Sequence, residues 1–255
     1  MNEPAAERPR RPLRLKEMTP EAARRALAAN PRLIVPVGTC EQHGPHLPLG
    51  GDTLVVERLA DDLSAEFQTL CAPTLEFGVN DRGEVQGAGA ASVRRKTLRR
   101  WLNDLIPDWE RAGIAEILVL TMNGFAPHQE ALGTVVADRA KVRVIDILAL
   151  DFGTLPEFPD DPMHGGEIDT SLVLFVRPDL VRMDAAYDCI LTESDLRRYR
   201  RGSVLRLPVD SQGSVGHATS ATREKGERFY RFILDRIRER VFGANSGAAR
   251  GVERA

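Results

Sequence analysis

Residues 33–52 read Leu-Ile-Val-Pro-Val-Gly-Thr-Cys-Glu-Gln-His-Gly-Pro-His-Leu-Pro-Leu-Gly-Gly-Asp. The short apolar run at the start is typical of a strand buried inside a sheet. Glycines and prolines then impose an irregular backbone, which can turn several side chains toward one point. Within this loop lie Glu41, His43, His46 and Asp52. The stretch therefore predicts a buried strand that ends in a polar loop able to carry chemistry.

Outward from this stretch, apolar strand patterns alternate with helical ones, which predicts βαβ units and a mainly parallel sheet covered by helices on both faces. In such sheets ligands bind beyond the carboxyl ends of the strands, so we expect the site residues directly after each strand. The further strands are predicted at 116–122 and 142–148. Helices are predicted from Pro20 to Asn30, after Asp52 as a possible cap, and over 94–112, 129–140 and 221–242.

The composition describes one soluble α/β domain. The chain has 255 residues, of which 42% are hydrophobic and 28% charged, as is ordinary for globular proteins. We expect the domain to span 14–242, with disordered tails at 1–13 and 243–255, because both ends are rich in Pro, Arg or Gly.

Charge and hydropathy exclude several classes of partner. The net charge is −2 and aromatic residues make up 5%, so neither phosphate backbones nor stacked bases are expected partners. The sequence has no apolar run of about 18 residues, so no membrane partner is expected. The first residues lack the apolar core of a secretory signal, and the three cysteines are widely spaced. Both features favour a cytoplasmic protein.

Imidazoles and carboxylates in the 41–52 loop are ligands that suit Zn, Mn or Fe. The alternative is a polar surface loop with chance histidines. Against it, the chain has five histidines and two of them, His43 and His46, fall here. The loop also leaves the carboxyl end of a buried strand. We therefore predict a site for a divalent metal ion.

Two further segments carry histidines at comparable places. His128 follows the strand at 116–122 and lies near the start of a helix, where it is either a partner of the metal loop or a half-exposed helix residue. His164 precedes Gly-Gly, Glu167 and Asp169. It could act as a general acid or base, with Glu167 or Asp169 orienting it or holding a metal. The alternative is a helix start at which the dipole favours acidic residues.

Four residues complete the predicted site as candidates for binding substrate. They are His46, Asn123, Phe125 and His217. His217 lies in a loop bounded by glycines before the last helix, and can be read either as the rim of a pocket or as a plain helix entry.

The order of these motifs resembles that of the creatininase-like amidohydrolases. Residues 36–52 resemble the family signature, in which Glu-Gln-His-Gly-Pro-His-Leu-Pro leads to Asp. Residues 89–93 resemble its Gly-Thr-φ-Ser-φ motif. His164 to Ser171 resemble its His-Ala/Gly-Gly-x-x-Glu-Thr-Ser. Residues 213–216 and 221–226 resemble its last two motifs. The resemblance covers roughly residues 15–242.

This resemblance implies a three-layer α/β/α sandwich with a mainly parallel central sheet, often assembled as a hexamer. It also implies hydrolysis of a C–N amide bond by metal-activated water. By position, Glu41, His43 and Asp52 match metal ligands, and His164 matches the residue that shuttles a proton. Asp169 matches a pocket carboxylate that is Glu in the family.

Two departures from the family pattern fall in one segment. The family has Asn-Gly-His where this chain has Asn123-Gly124-Phe125, so the ligand histidine is replaced by Phe125. A further ligand Glu in creatininase proper is replaced by Pro127. His128 stands where the family has Asn. We therefore expect about one divalent metal ion per chain, held by Glu41, His43, Asp52 and His128.

Three functions remain open from the sequence. The first is a metal-dependent hydrolase of a cyclic amide, formamide or small amide, with Glu41, Asp169 or Glu167 as proton acceptor and His164 as acid. The second is a peptidase in a peptide-maturation pathway. The third is a non-catalytic or repurposed, non-hydrolytic homologue that binds a small ligand, since Phe125 and Pro127 remove polar groups from the site. In each case the expected partners are a small molecule and further copies of the chain.

Overall fold

A five-stranded parallel sheet forms the centre of the computed structural model, which describes residues 10–80, 87–162, 164–200, 207 and 211–243. The strand order is β1-β3-β2-β4-β5. All four strand pairs are parallel, so their carboxyl ends share one edge. The strands are β1 (Leu13–Arg14), β2 (Arg32–Val37), β3 (Leu70–Cys71), β4 (Glu116–Thr121) and β5 (Lys141–Asp146).

The predicted strands are confirmed where the apolar runs are longest. β2 and β4 pair over six positions, from Arg32 opposite Glu116 to Val37 opposite Thr121. Five of the six residues in each strand are buried. Near-continuous apolar runs of this kind are expected of parallel strands covered on both faces.

Helices cover both faces of the sheet, which confirms the three-layer arrangement. One apolar cluster joins the sheet to α2, α5 and α7, and a second joins the other face to α3 and α4, with α1 partly buried against it. The described helices are α1 (Pro20–Ala29), α2 (Gly51–Phe67), α3 (Arg95–Ala112), α4 (Ala126–Gly133), α5 (Glu167–Val176), α6 (Glu193–Arg200) and α7 (Arg223–Ile237).

Local chemistry sets the ends of two helices that the sequence predicted. The Thr19 hydroxyl accepts a hydrogen bond from the Ala22 amide at the start of α1, as an N-cap residue does. Gly113 ends α3 with a φ of 102°, a left-handed conformation that glycine adopts at no steric cost.

α4 begins earlier and ends sooner than the helix predicted over 129–140. Pro127 lies in its first turn, and the helix ends at Gly133. Side chains of α3 then satisfy the following backbone, because the Glu110 carboxylate accepts from the amides of Arg139 and Ala140, at 2.7 Å each. Such partners remove the advantage of continuing the helix.

The last helix is also shorter than predicted. α7 spans Arg223–Ile237 and is followed by a π-helical turn over Arg238–Phe242. Of the predicted tails, 1–9 and 244–255 lie outside the described residues, while Leu13 already pairs with Leu70 in the sheet. None of the helices in the described ranges is long and apolar enough to cross a membrane.

Candidate metal centre

Glu41, His43 and Asp52 come together at the carboxyl end of β2. Each offers one ligand atom, and these atoms lie within 4.8 Å of one another. The Asp52 Oδ1 atom is 3.5 Å from the His43 Nε2 atom. Asp52 is 3% exposed and His43 is 5% exposed. Glu41 is partly buried, and two carboxylates and an imidazole this close together form a ligand set suited to Zn or Mn.

Asp52 is held by the loop that precedes it. It lies in the first turn of α2, but its Oδ2 atom accepts a 2.7 Å hydrogen bond from the Thr39 hydroxyl. The possible cap that the sequence suggested is therefore not formed, because the carboxylate turns to Thr39 and His43. Gly38 lets the end of β2 pack closely against the first turn of α2. A Cβ at this position would lie 2.0 Å from the Thr53 hydroxyl oxygen.

Asn123 positions Glu41 from the end of β4. Its amide nitrogen donates to the Glu41 Oε2 atom at 2.7 Å. Its amide oxygen accepts from the Phe125 backbone at 2.9 Å, which fixes the amide orientation. The side chain is 6% exposed. The structure thus places this predicted substrate-binding residue directly against the carboxylate of a candidate metal ligand.

His164 and Asp169 bring the third motif to the same place. The ring of His164 lies 4.6 Å from that of His43, centroid to centroid. Asp169 accepts from the Gly165 amide at 2.6 Å through its Oδ2 atom. Its Oδ1 atom is buried and has no hydrogen-bond partner in the described protein. A buried carboxylate oxygen in this condition calls for a donor that the protein alone does not supply.

Burial and crowding shift the proton affinities of these groups. Burial alone would lower the pKa of His43, but the carboxylates of Asp52 and Glu41 outweigh it and raise that pKa. Burial raises the pKa of Asp52 and takes the pKa of Asp169 to about 6. Burial and the neighbouring His43 lower the pKa of His164 to about 3. A cation is the natural complement to buried carboxylates of this kind, so the residues present fit a divalent metal ion.

The structure does not bring His128 to this cluster. Its ring is fully buried. The Nδ1 atom accepts from the Val79 amide at 3.1 Å, and the Nε2 atom lies 2.9 Å from the Thr121 hydroxyl. With both ring nitrogens engaged, no lone pair is left for a metal ion. His128, which stands where the family has Asn, therefore connects Thr121 at the end of β4 to Val79 after β3 through its two hydrogen bonds.

Glu167 is turned away from the cluster as well. Its two carboxylate oxygens accept from the amides of Glu157 and Phe158, each at 3.0 Å. The Lys225 ammonium lies 2.9 Å from its Oε1 atom. These contacts hold the Pro-rich segment before His164 against α7. The geometry thus gives Glu167 a structural role in place of the catalytic one that the sequence suggested.

The remaining predicted residues lie in three different settings. His46 is buried within the metal loop, with its Nε2 atom 2.8 Å from the Thr170 hydroxyl on α5. His217 pairs with the Asp161 carboxylate at 2.7 Å and stacks on Phe158 at 3.5 Å. Phe125 precedes α4 and packs against the apolar cluster on the α3 side.

Sequence reasoning missed two polar residues at this edge. Thr39 donates a hydrogen bond to Asp52. Its hydroxyl lies just before the metal loop in the sequence, and this position could have indicated that it contacts a ligand. Asp146 ends β5, so the rule that sites lie at carboxyl strand ends covers it too. Burial and the charge of Asp52 together raise the pKa of Asp146, although backbone amides partly oppose them.

Comparison with known proteins agrees with this arrangement. The family model described as Creatininase: Creatinine amidohydrolase matches residues 16–241. The chain is 30% identical to a mycofactocin precursor peptide peptidase of Mycolicibacterium smegmatis, over 83% of this chain and 84% of that protein. It is 29% identical to a creatinine amidohydrolase of Pseudomonas putida, over 84% and 92%. A solved manganese form of creatininase superposes with a TM-score of 0.71 at 23% identity, covering 89% of this chain and 98% of that one.

Proposed function

Since this chain belongs to the creatininase family of hydrolases, we propose that it hydrolyses a C–N amide bond at the Glu41, His43 and Asp52 cluster. The observation that carries the proposal is the geometry of this cluster. Its ligand atoms lie within 4.8 Å of one another, and Thr39 and Asn123 hold its two carboxylates from outside. Pre-positioned ligands of this kind are what a catalytic metal site needs.

One divalent ion per chain, Zn, Mn or Fe, is the cofactor we propose, with Glu41, His43 and Asp52 as its ligands. When bound, it supplies Lewis acidity and lowers the pKa of water. The family pattern has a further ligand histidine at the position of Phe125, and Phe125 offers none. His128 makes its hydrogen bonds elsewhere. Both observations favour a mononuclear centre.

The chain's own residues handle the protons. Asp169 presents a buried Oδ1 atom without a protein donor, and its pKa near 6 suits a base that works around neutrality. It accepts a proton from the attacking water as the water oxygen bonds to the carbonyl carbon. The C–N bond then breaks as the same proton passes from Asp169 through the His164 ring to the leaving nitrogen, so both residues return to their starting protonation states. Burial and the neighbouring His43 lower the pKa of His164, so the ring is neutral near pH 7 and gives up a relayed proton readily.

A peptide substrate is the second candidate. The relative from Mycolicibacterium smegmatis is named as a precursor peptide peptidase, and the relative from Pseudomonas putida is named for a small cyclic amide. The chain is about equally similar to both, so sequence identity does not distinguish a peptide substrate from a small amide. A non-catalytic role remains the alternative if Phe125 and Pro127 have removed too much of the site. We further propose a homo-oligomer in the cytoplasm.

The deciding experiment measures metal content and amide hydrolysis on the same preparations. Protein purified without chelator or His tag is loaded with Zn, Mn or Fe and analysed by elemental mass spectrometry. It is then assayed on lactams, formamides, small amides and short peptides. His43→Ala should lose the ion, and Asp169→Asn should keep the ion but lose about 10²–10⁴-fold in rate.

Asp104→Asn is the matched control, because Asp104 is an exposed carboxylate on α3. It should change neither ion content nor rate. Failure of the wild type to retain any ion, or to cleave any of these amides, would favour the non-catalytic reading. Two ions per chain would contradict the mononuclear centre.

A further inference from the structure

The outer edge of β5 is open among the described residues. β5 is the last strand of the sheet, and β4 is its partner. The amides of Lys141 and Ile147 donate to β4-side carbonyls of Ala115 and Thr121. Backbone groups alternate in direction along a strand. The N–H and C=O groups of Val142 and Val144 therefore point outward, away from β4.

A cleft of about 420 Å³ runs along this edge. Residues of α4 line one side, and residues of α7 and the π-helical turn line the other. The β5 residues Val144 and Ile145 lie between them, and Ile237 and Val241 add apolar surface. An open strand edge inside a partly apolar cleft is the feature that accepts an extended chain by strand addition.

Positive charge surrounds the cleft. Arg143, Arg236 and Arg240 all line it. Arg143 lies 2.7 Å from the Glu116 carboxylate, and Arg236 lies 3.4 Å from that of Glu239. Arg240 is exposed, and no ion pair is recorded for it within the described ranges. The lining itself thus carries three arginines against one carboxylate, that of Asp146.

Two residues that line the cleft, Asp146 and Gln129, lie close to the residues around the metal centre. Asp146 lines the cleft and is close enough to Asp52 for the two carboxylates to repel each other. Gln129 lines the cleft as well and donates from its side chain to the Asn123 carbonyl. Asn123 in turn holds Glu41. The carboxyl end of β5 therefore lies one residue away from the side chain that holds Glu41.

We propose that this cleft binds an acidic, extended peptide as an added strand on β5, with its reacting amide directed to the Glu41, His43 and Asp52 cluster. This rests on the proposed hydrolase function and names the substrate class that the site would take. A second copy of the chain fits less well. Two such edges paired about a twofold axis would bring the same arginines face to face, and like charges in contact oppose association.

The test uses full-length, metal-loaded protein and a fluorescein-labelled alternating Glu-Val octapeptide, followed by fluorescence anisotropy. A Lys-Val octapeptide is the opposite-charge probe. Val144→Pro removes the outward N–H and leaves the β4 ladder intact, which an edge strand tolerates. Arg240→Glu reverses one charge in the cleft. Each should weaken binding of the Glu-Val probe at least about tenfold.

Arg228→Glu is the matched control, since Arg228 is exposed on α7 and does not line the cleft. It should bind the probe like the wild type. Equal loss in Arg228→Glu, no loss in either cleft variant, or preference for the Lys-Val probe would overturn the proposal. So would a Val144→Pro protein that changes from oligomer to monomer in sedimentation while the wild type binds no peptide.

The two proposals fail separately in this design. Specific binding of the Glu-Val probe without cleavage of any peptide or amide would support the cleft and contradict the hydrolase. Amide cleavage that is unchanged in Val144→Pro and Arg240→Glu, with no probe binding, would support the hydrolase and overturn the cleft. Arg240→Glu alters a solvent-exposed side chain, so this variant should fold. It therefore tests the cleft even if Val144→Pro does not fold.

Discussion

Replacing His128 with Asn should make the free energy of unfolding less sensitive to acid. The ring is fully buried between the Val79 amide and the Thr121 hydroxyl. The His128 Nδ1 atom accepts a hydrogen bond from the Val79 amide. Protonating Nδ1 would therefore place its new N–H group against the N–H group of Val79. Burial accordingly lowers the pKa of His128 to about 4, while an unfolded histidine has a pKa of about 6.5.

The sign and size of the effect follow from linkage. Below pH 6.5 the unfolded chain binds a proton that the folded ring does not, until the pH approaches 4. The contribution is therefore fully present above pH 6.5 and is lost as the pH falls toward 4. Between pH 7.5 and pH 5, the wild type should lose about 2 kcal/mol of stability through this one residue.

Urea unfolding at pH 7.5, 6 and 5, followed by circular dichroism, measures this quantity. His128→Asn keeps an oxygen for the Val79 amide and a donor for Thr121, and its smaller side chain lowers stability by an amount that does not depend on pH. Burial also lowers the pKa values of His46 and His164. The difference between the two proteins therefore isolates His128.

Two outcomes would refute the reasoning. If the wild type and His128→Asn lost the same stability between pH 7.5 and pH 5, the ring would not be held neutral by burial. If His128→Asn lost its bound metal ion at pH 7.5, the ring would be a ligand, contrary to the geometry described above. Ion content measured on the same samples decides this second point.

Three further substitutions test residues around the site. Asn123→Ala should weaken metal affinity about 10–100-fold by equilibrium dialysis, because Glu41 loses the donor that orients it; unchanged affinity would deny this positioning role. Glu167→Gln should cost about 1–3 kcal/mol in urea unfolding and leave ion content unchanged, since Glu167 bonds the Pro-rich segment; loss of the ion would place it at the metal. Gly226→Ala should lower the melting temperature by several degrees, because a Cβ would lie 1.8 Å from the Ser171 carbonyl oxygen; an unchanged value would show that α5 and α7 can separate freely.

The sequence predicted the outline of the fold because its strongest signals are local. The apolar runs of β2 and β4 are long enough to require burial on both faces. Thr19 and Gly113 mark helix ends through contacts within a few residues. The weaker signal after Pro127 gave the right kind of element with the wrong bounds, since Glu110 on α3 satisfies the backbone that follows α4.

The loop pattern alone brought Glu41, His43, His46 and Asp52 together as candidates, and the resemblance to the creatininase-like family implied three of them, without His46, as metal ligands. Tertiary structure decided which other polar residues serve them. Asn123 is 82 positions from Glu41 and His128 is 49 positions from Val79, so no local pattern could assign these partners. Glu167 and Asp169 lie two residues apart on one helix, yet the helical rotation turns one to Lys225 and the other to the cluster. Side-chain direction and long-range hydrogen bonding arise only when the elements pack, which is why the sequence could name candidates but not distribute their roles.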